Sequence, residues 1–175
     1  MEKLNITRHF NNKAFQKNKS DRKLDLTPIG SGFPFPGYNY FSETEYNLCC
    51  HDEQDNFECE NNLIQIESNQ IFKSIGIIAL GLYGDYFGDI LVGQKNKEYS
   101  FEIFFPCMDR TSLSIEGTKI FYTSEYVISQ NALKGIVKQD ISLFEIRLQL
   151  ESETPLEFVK FPENSCIHIF AITLF

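Results

Sequence analysis

The stretch FEIRLQL alternates strictly, with Phe144, Ile146, Leu148 and Leu150 on one side and Glu145, Arg147 and Gln149 on the other. Two is the side-chain period of an extended strand, so this segment has to lie on a sheet with one face buried. SFEIFF repeats the pattern with Phe101, Ile103 and Phe105 inward, and KIFYT and LEFVKF add aromatic and β-branched runs that suit a pleated, packed surface. Two further segments, Ile75 to Tyr83 and the closing CIHIFAITL, are apolar at successive positions, as central strands covered on both faces are. Turn residues separate these runs at Gly84 and Gly88, Gln94 to Lys97, Glu116 and Gly117, Glu151 to Pro155, and Pro162 to Ser165. No stretch carries a sustained helical stripe; SEYVISQNALKG is the best helical candidate and is short. The pattern predicts an all-β chain whose antiparallel sheets pack face to face as a β-sandwich.

At 175 residues the chain has the size of one domain and predicts a single β-sandwich over residues 1–175. The polar, lysine-rich NNKAFQKNKSDRK reads as surface loop, so residues 1–30 are expected to wrap the sandwich as a loop-rich segment. With 16 Lys+Arg against 24 Asp+Glu, most of the surface repels phosphates and anionic lipid, which argues against a nucleic-acid partner. The opening MEKLNITRHFNNKAF has no apolar leader core, and the longest apolar run is interrupted by Gly76 and Gly81 and too short to cross a bilayer. The expectation is a cytoplasmic chain with no membrane partner. Five cysteines, Cys49, Cys50, Cys59, Cys107 and Cys166, are odd in number and irregular in spacing, so no disulfide framework is expected. Cys166, within an apolar run, reads as a small buried hydrophobe.

A family resemblance is carried by pieces spread over most of the chain. HFNNKAF followed by SGFPFPGYNY resembles the opening of bacterial galactose-binding-like jelly-roll domains, which occur alone or attached to glycoside hydrolases. ENNLIQIESNQIF is similar to that family's strand entry, and IGIIALGLYGDYFGDILV to its apolar strand, glycine turn and return strand. The most specific piece is LEFVKFPENSCIHIFAITL, which resembles the terminal strand pair, here with Phe161 and Pro162 opening the turn in place of Leu-Pro. The chain also departs in having no tryptophan: FFPCMDRTS occupies the place of the family's Asp-Trp. The resemblance implies a jelly roll of about eight strands and, through its glycoside hydrolase association, a carbohydrate partner. It also admits a structural calcium held by carbonyls and carboxylates, although no loop here has a ligand spacing that identifies one.

Candidate chemistry lies in two aromatic loops. In GLYGDYFGD, Tyr83, Tyr86 and Phe87 flank Asp85; aromatic faces stack on the C–H face of a sugar while a carboxylate accepts hydrogen bonds from its hydroxyls. The competing reading is that the rings close the end of the sandwich and Asp85 shapes a turn. In FPFPGYNYF, Tyr38, Asn39, Tyr40 and Phe41, with Glu43 and Glu45, form either a ligand platform or a covering loop. The expectation is that Phe33 to Phe41 covers one end of the sandwich beside the Tyr83 to Phe87 turn. Tyr40, Tyr83, Asp85 and Tyr86 are then the ligand-binding candidates.

Cys49, Cys50, His51 and Cys59 are soft ligands, but adjacent cysteines lack the Cys-x-x-Cys spacing of a zinc clip. The surrounding Asp52, Glu53, Asp55, Glu58 and Glu60 raise thiol pKa values, and the segment reads as a solvated acidic loop without a metal. His9, His51 and His168 never form the His-x-His pair of cupin-type metalloenzymes, and there is no Gly-x-Ser-x-Gly elbow or phosphate-cradling glycine loop. No catalytic residue and no cofactor are therefore expected. His168, alternating with Phe170, Ile172 and Leu174, reads as a hydrogen-bonded core histidine. The function that remains is a non-catalytic carbohydrate-binding module. The alternative is an interaction domain whose exposed aromatics meet another chain or a second copy of this one.

Overall fold

The computed structural model describes residues 1–16, 24–28, 30–37, 40–50, 53–95, 97–129, 135–151 and 154–175. Among the described residues there is no α-helix, only a 3-10 turn at Thr7–His9 and twelve strands. These are β1 (Glu2–Lys3), β2 (Phe15–Gln16), β3 (Ser31–Pro34), β4 (Phe57–Glu60), β5 (Leu63–Gln65) and β6 (Ser74–Gly81). They continue with β7 (Tyr86–Gln94), β8 (Lys97–Phe105), β9 (Thr118–Ser129), β10 (Ile136–Gln149), β11 (Phe158–Lys160) and β12 (Glu163–Leu174). Eight of them form one sheet in the order β1-β12-β6-β10-β9-β3-β2, with β4 also paired to β12; the other four form a sheet ordered β5-β11-β7-β8. All pairs are antiparallel except β2 with β3, which makes the larger sheet mixed.

The successive apolar residues of β6 and of positions 169–172 in β12 have a direct cause: each strand faces two cores. Ile75, Ile77 and Ala79 of β6 join Ile167, Ile169 and Ile172 of β12 in a core between the sheets, closed from the smaller sheet by Ile90, Val92, Ile103, Phe105 and Val159. On the opposite face of the larger sheet, Ile78, Leu80, Phe170 and Ala171 pack against Ala14, Phe15, Leu26, Phe33 and Phe41. Phe161 and Pro162 carry the chain from one sheet to the other between β11 and β12. The alternation in FEIRLQL places Ile146, Leu148 and Leu150 in the first core, whereas Phe144, beside a register shift at Leu143/Phe144, packs in the second. Phe101 is half-buried against the first core.

Four sequence expectations are corrected. Beyond Asn11, the described residues of NNKAFQKNKSDRK are not surface: Asn12, Lys13, Ala14, Phe15 and Gln16 are buried, because β2 adds to the edge of the larger sheet and lays the Phe15 ring on the second core. The lysine-rich residues 17–23 that drove the loop reading lie outside the described residues. The acidic segment is not solvated as a whole either. Asp55 is 1% exposed, Cys49 and Cys50 are buried, and Phe57–Glu60 pairs with β12; His51 and Asp52 lie outside the described residues. In SEYVISQNALKG, Ser124 to Ser129 continue β9 as strand, and residues 130–134 lie outside the described residues. Cys166, expected as a buried hydrophobe, is only half-buried, packed against the rim of the second core.

His168 is the core histidine its alternation suggests. Its Nδ1 donates to Asn56 Oδ1 at 2.8 Å, since the Asn56 amide group itself donates to Asp55 and Asn12. Burial pushes its pKa from 6.5 down to about 4. The unfolded chain therefore takes up a proton near 6.5 that the native protein refuses until about 4. The resulting loss of stability between these pH values is about 3 kcal/mol, complete near pH 4 and absent above the unfolded value. His168→Gln should flatten the urea-measured stability in that window relative to the parent; parallel pH curves for the two proteins would contradict the assignment. Ile146→Ala and Phe15→Ala, one from each core, should each lower unfolding free energy by about 2–5 kcal/mol. A Phe15 variant within about 0.5 kcal/mol of the parent would mean that this residue is surface after all.

Candidate functional site

The turn from β6 to β7 holds a bulky residue in a constrained backbone conformation. Tyr83 adopts φ 65°, in the left-handed region, followed by Gly84. For a bulky residue this conformation costs about 1–2 kcal/mol and needs fixed surroundings to persist. Asp85 supplies them: its carboxylate accepts from the Cys107 backbone N–H at 2.8 Å and from Arg110 Nε at 2.7 Å, with a second, shorter bond from the Arg110 guanidinium. The Arg110 hydrogen bonds, helped by the Cys107 amide, hold the Asp85 carboxyl below its usual pKa against the opposing effect of desolvation. The arginine also lies over the Phe104 ring, 5.8 Å from its centroid. The loop after β8 is anchored on its other side, where Gly81 donates to Pro106 O at 2.8 Å and Ser142 to Met108 O at 2.6 Å.

These contacts frame a cleft of about 510 Å³. Tyr83, Asp85 and Arg110 line one side; Met108 and Val127 supply apolar surface; Thr27, Ser31 and Gln139 add hydroxyl and amide groups. Gln139 lies where the β9–β10 register shifts between Lys138 and Ile141, so an extra residue in β10 gives it a position regular pairing would not provide. Thr27 and Ser31 belong to the outer layer, and the Thr27 hydroxyl accepts from the Ser31 N–H at 3.0 Å. A ring left 68% exposed, a fixed carboxylate–guanidinium pair, and uncharged donors and acceptors over an apolar floor suit a neutral polyhydroxylated molecule.

Of the four candidates named from sequence, Tyr83 and Asp85 line this cleft. Tyr86 turns toward the first core, and its hydroxyl donates to Leu82 O at 2.6 Å. Its hydrogen bond with Cys166, together with burial, pushes the phenol up to about 12. Tyr40 stands edge-on to Phe41 and Tyr122 at 4.9 and 5.5 Å, over the second core, and is not among the cleft-lining residues. Its neighbours Tyr38 and Asn39 lie outside the described residues. Arg110, Gln139, Thr27 and Ser31 carry no distinctive signal in the sequence; the one pointer is FFPCMDRTS, which contains Arg110 and stands where the resembled family has Asp-Trp. Among the described residues, no group of three or more His, Cys, Asp or Glu side chains converges as metal ligands.

No protein-family model matches the chain, and no curated protein is significantly similar to it in sequence. Carboxyl-detected NMR titration should find Asp85 with a midpoint below that of an ordinary aspartate. Arg110→Ala should move the midpoint upward, since desolvation then acts without its main opponent. An Asp85 midpoint unchanged by Arg110→Ala would contradict the pairing.

Proposed function

We propose that this chain is a non-catalytic carbohydrate-binding module on a galactose-binding-like jelly roll, with the sugar site in the cleft beside the β6–β7 turn. The strand orders β4-β12-β6-β10 and β5-β11-β7-β8 support the jelly-roll reading. Numbering these eight in chain order gives 1-8-3-6 and 2-7-4-5, the interleaving of two Greek keys, with β9 as an added hairpin partner of β10. Fold alone does not assign a ligand.

The observation that carries the functional reading is Tyr83, a large ring kept exposed in a left-handed conformation at the rim of a polar-lined cleft. A strained, solvent-facing aromatic next to a pre-formed Asp85–Arg110 pair supplies a stacking face and directional hydrogen bonds at little further ordering cost. The net charge of −8 disfavours sulfated and uronic acid glycans, so the expected ligands are neutral. Exposed Tyr126, Ile136 and Val137 on the β9–β10 hairpin support the alternative, a domain that docks another chain there.

A glycan array probed with the purified chain, with and without calcium, separates the two. Neutral glycans should be retained, and Tyr83→Ala should lose them while keeping the parent melting temperature. A blank array across a broad neutral set would sink the carbohydrate reading in favour of the docking one.

A further inference from the structure

Resting on the carbohydrate reading, we infer that the binding surface does not stop at the cleft. It continues along the outer face of the four-stranded sheet as an elongated platform for a neutral glycan chain. Along β7, Ile90 and Val92 point into the first core, so Phe87, Asp89, Leu91 and Gly93 belong to the opposite face. Phe87 is 68% exposed and sits directly across from Phe104 on β8, with ring centroids 5.2 Å apart. Phe104 in turn carries Arg110, which is also a wall of the cleft. The aromatic pair therefore begins where the cleft ends.

A second aromatic station lies at the far end of the same face. Phe158 of β11 pairs with Gly93, and a Cβ at Gly93 would run into the Phe158 ring. The glycine thus lets the ring lie flat across the strand while it stays half-exposed. Six residues of strand separate Phe87 from Gly93, about 20 Å. Between the stations stand Asp89 opposite Glu102 and Leu91 opposite Ser100, with both carboxylates exposed. Two apolar platforms separated by hydrogen-bond acceptors match a chain of sugars that alternates stacking faces with hydroxyl edges.

The charges argue against other occupants. A two-fold contact with a second copy would set a face carrying Asp89, Glu102 and Glu98 against an identical acidic face, with Lys160 the only cation among the described strand residues of each. The same acids repel nucleic acid and anionic membrane.

Affinity electrophoresis of the full chain in native gels cast with β-glucan, galactomannan, arabinoxylan or pullulan tests this. It is paired with calorimetry on the mono- to hexasaccharides of whichever polymer retards the protein. Affinity should rise at least about tenfold from monosaccharide to hexasaccharide, and Phe87→Ala and Phe158→Ala should each weaken polymer binding about tenfold without changing monosaccharide binding. Tyr83→Ala should weaken both. Phe87 is exposed enough that its truncation leaves the fold intact, and Phe158→Leu keeps an apolar cover over Gly93 should the alanine variant unfold. Length-independent binding, or parent-like retardation of the Phe87 and Phe158 variants, overturns the platform while leaving the cleft supported by the Tyr83 loss. Absence of any retardation and of any monosaccharide binding overturns both. Unchanged retardation with an altered sedimentation coefficient in the Phe87 variant would reassign the face to a protein contact.

Discussion

One buried carboxylate holds the outer layer of this protein to its sandwich. Asp55 accepts from the backbone N–H groups of Ala14 and Phe15 at 2.8 and 3.0 Å, accepts from the Asn56 side-chain amide at 2.9 Å, and pairs with Lys13 Nζ at 2.8 Å. Taking a carboxylate and an ammonium out of water is costly, and the interaction holds because both partners are fully engaged. Burial pushes the Asp55 carboxyl up, while Lys13, Asn56 and the Ala14 amide oppose that push. Removing one partner of such a pair leaves the other charged and buried, which costs about 3–5 kcal/mol. Lys13 also donates to Cys50 O at 3.0 Å, and Asn12 reaches Asp25 O and Glu58, so the latch gathers three separate stretches of chain.

The latch links packing to function. It sets the position of β2, β2 pairs with β3, and β3 begins at Ser31, one wall of the cleft. The cleft is thus a seam at which a turn of the inner sandwich, the loop after β8 and the outer layer meet. Each contributes a different chemistry: the ring and carboxylate, the guanidinium, and the hydroxyls. A second charged cluster, Glu145 with Lys119 at 2.9 Å and Arg147 at 2.7 Å, is balanced by Glu45 at 3.4 Å from Arg147 and braces the larger sheet. Arg147 further stacks on Phe175, 3.7 Å from the ring centroid, tying the last residue to β10.

The strands were legible because burial leaves a periodic signature. Ile146, Leu148 and Leu150 announce one covered face, and the unbroken apolar IFAI within CIHIFAITL announces two. The outer layer was hidden because Phe15 is a single large ring among lysines and asparagines, and composition averages it away. Asp55 looked like one more solvated acid among five; only the converging amides of residues forty positions away distinguish it. The candidate site was half legible. Tyr83 and Asp85 stand beside each other in a glycine turn, but Arg110 comes to Asp85 across 25 positions, and Gln139 reaches the cleft through a register shift that no residue pattern marks. Tyr40 was drawn in by its aromatic neighbourhood, which here serves packing against Tyr122.

Hydrogen exchange on Asp55→Asn tests most directly whether the chain is an inner sandwich with a latched outer layer that helps build the site. Protection should fall in residues 12–16, in β3 and at Ile128 and Ser129 of β9, while amides of β7, β8 and the paired stretch of β6 with β12 keep parent-like protection. Equal loss across all strands, or no loss at residues 12–16, would contradict it.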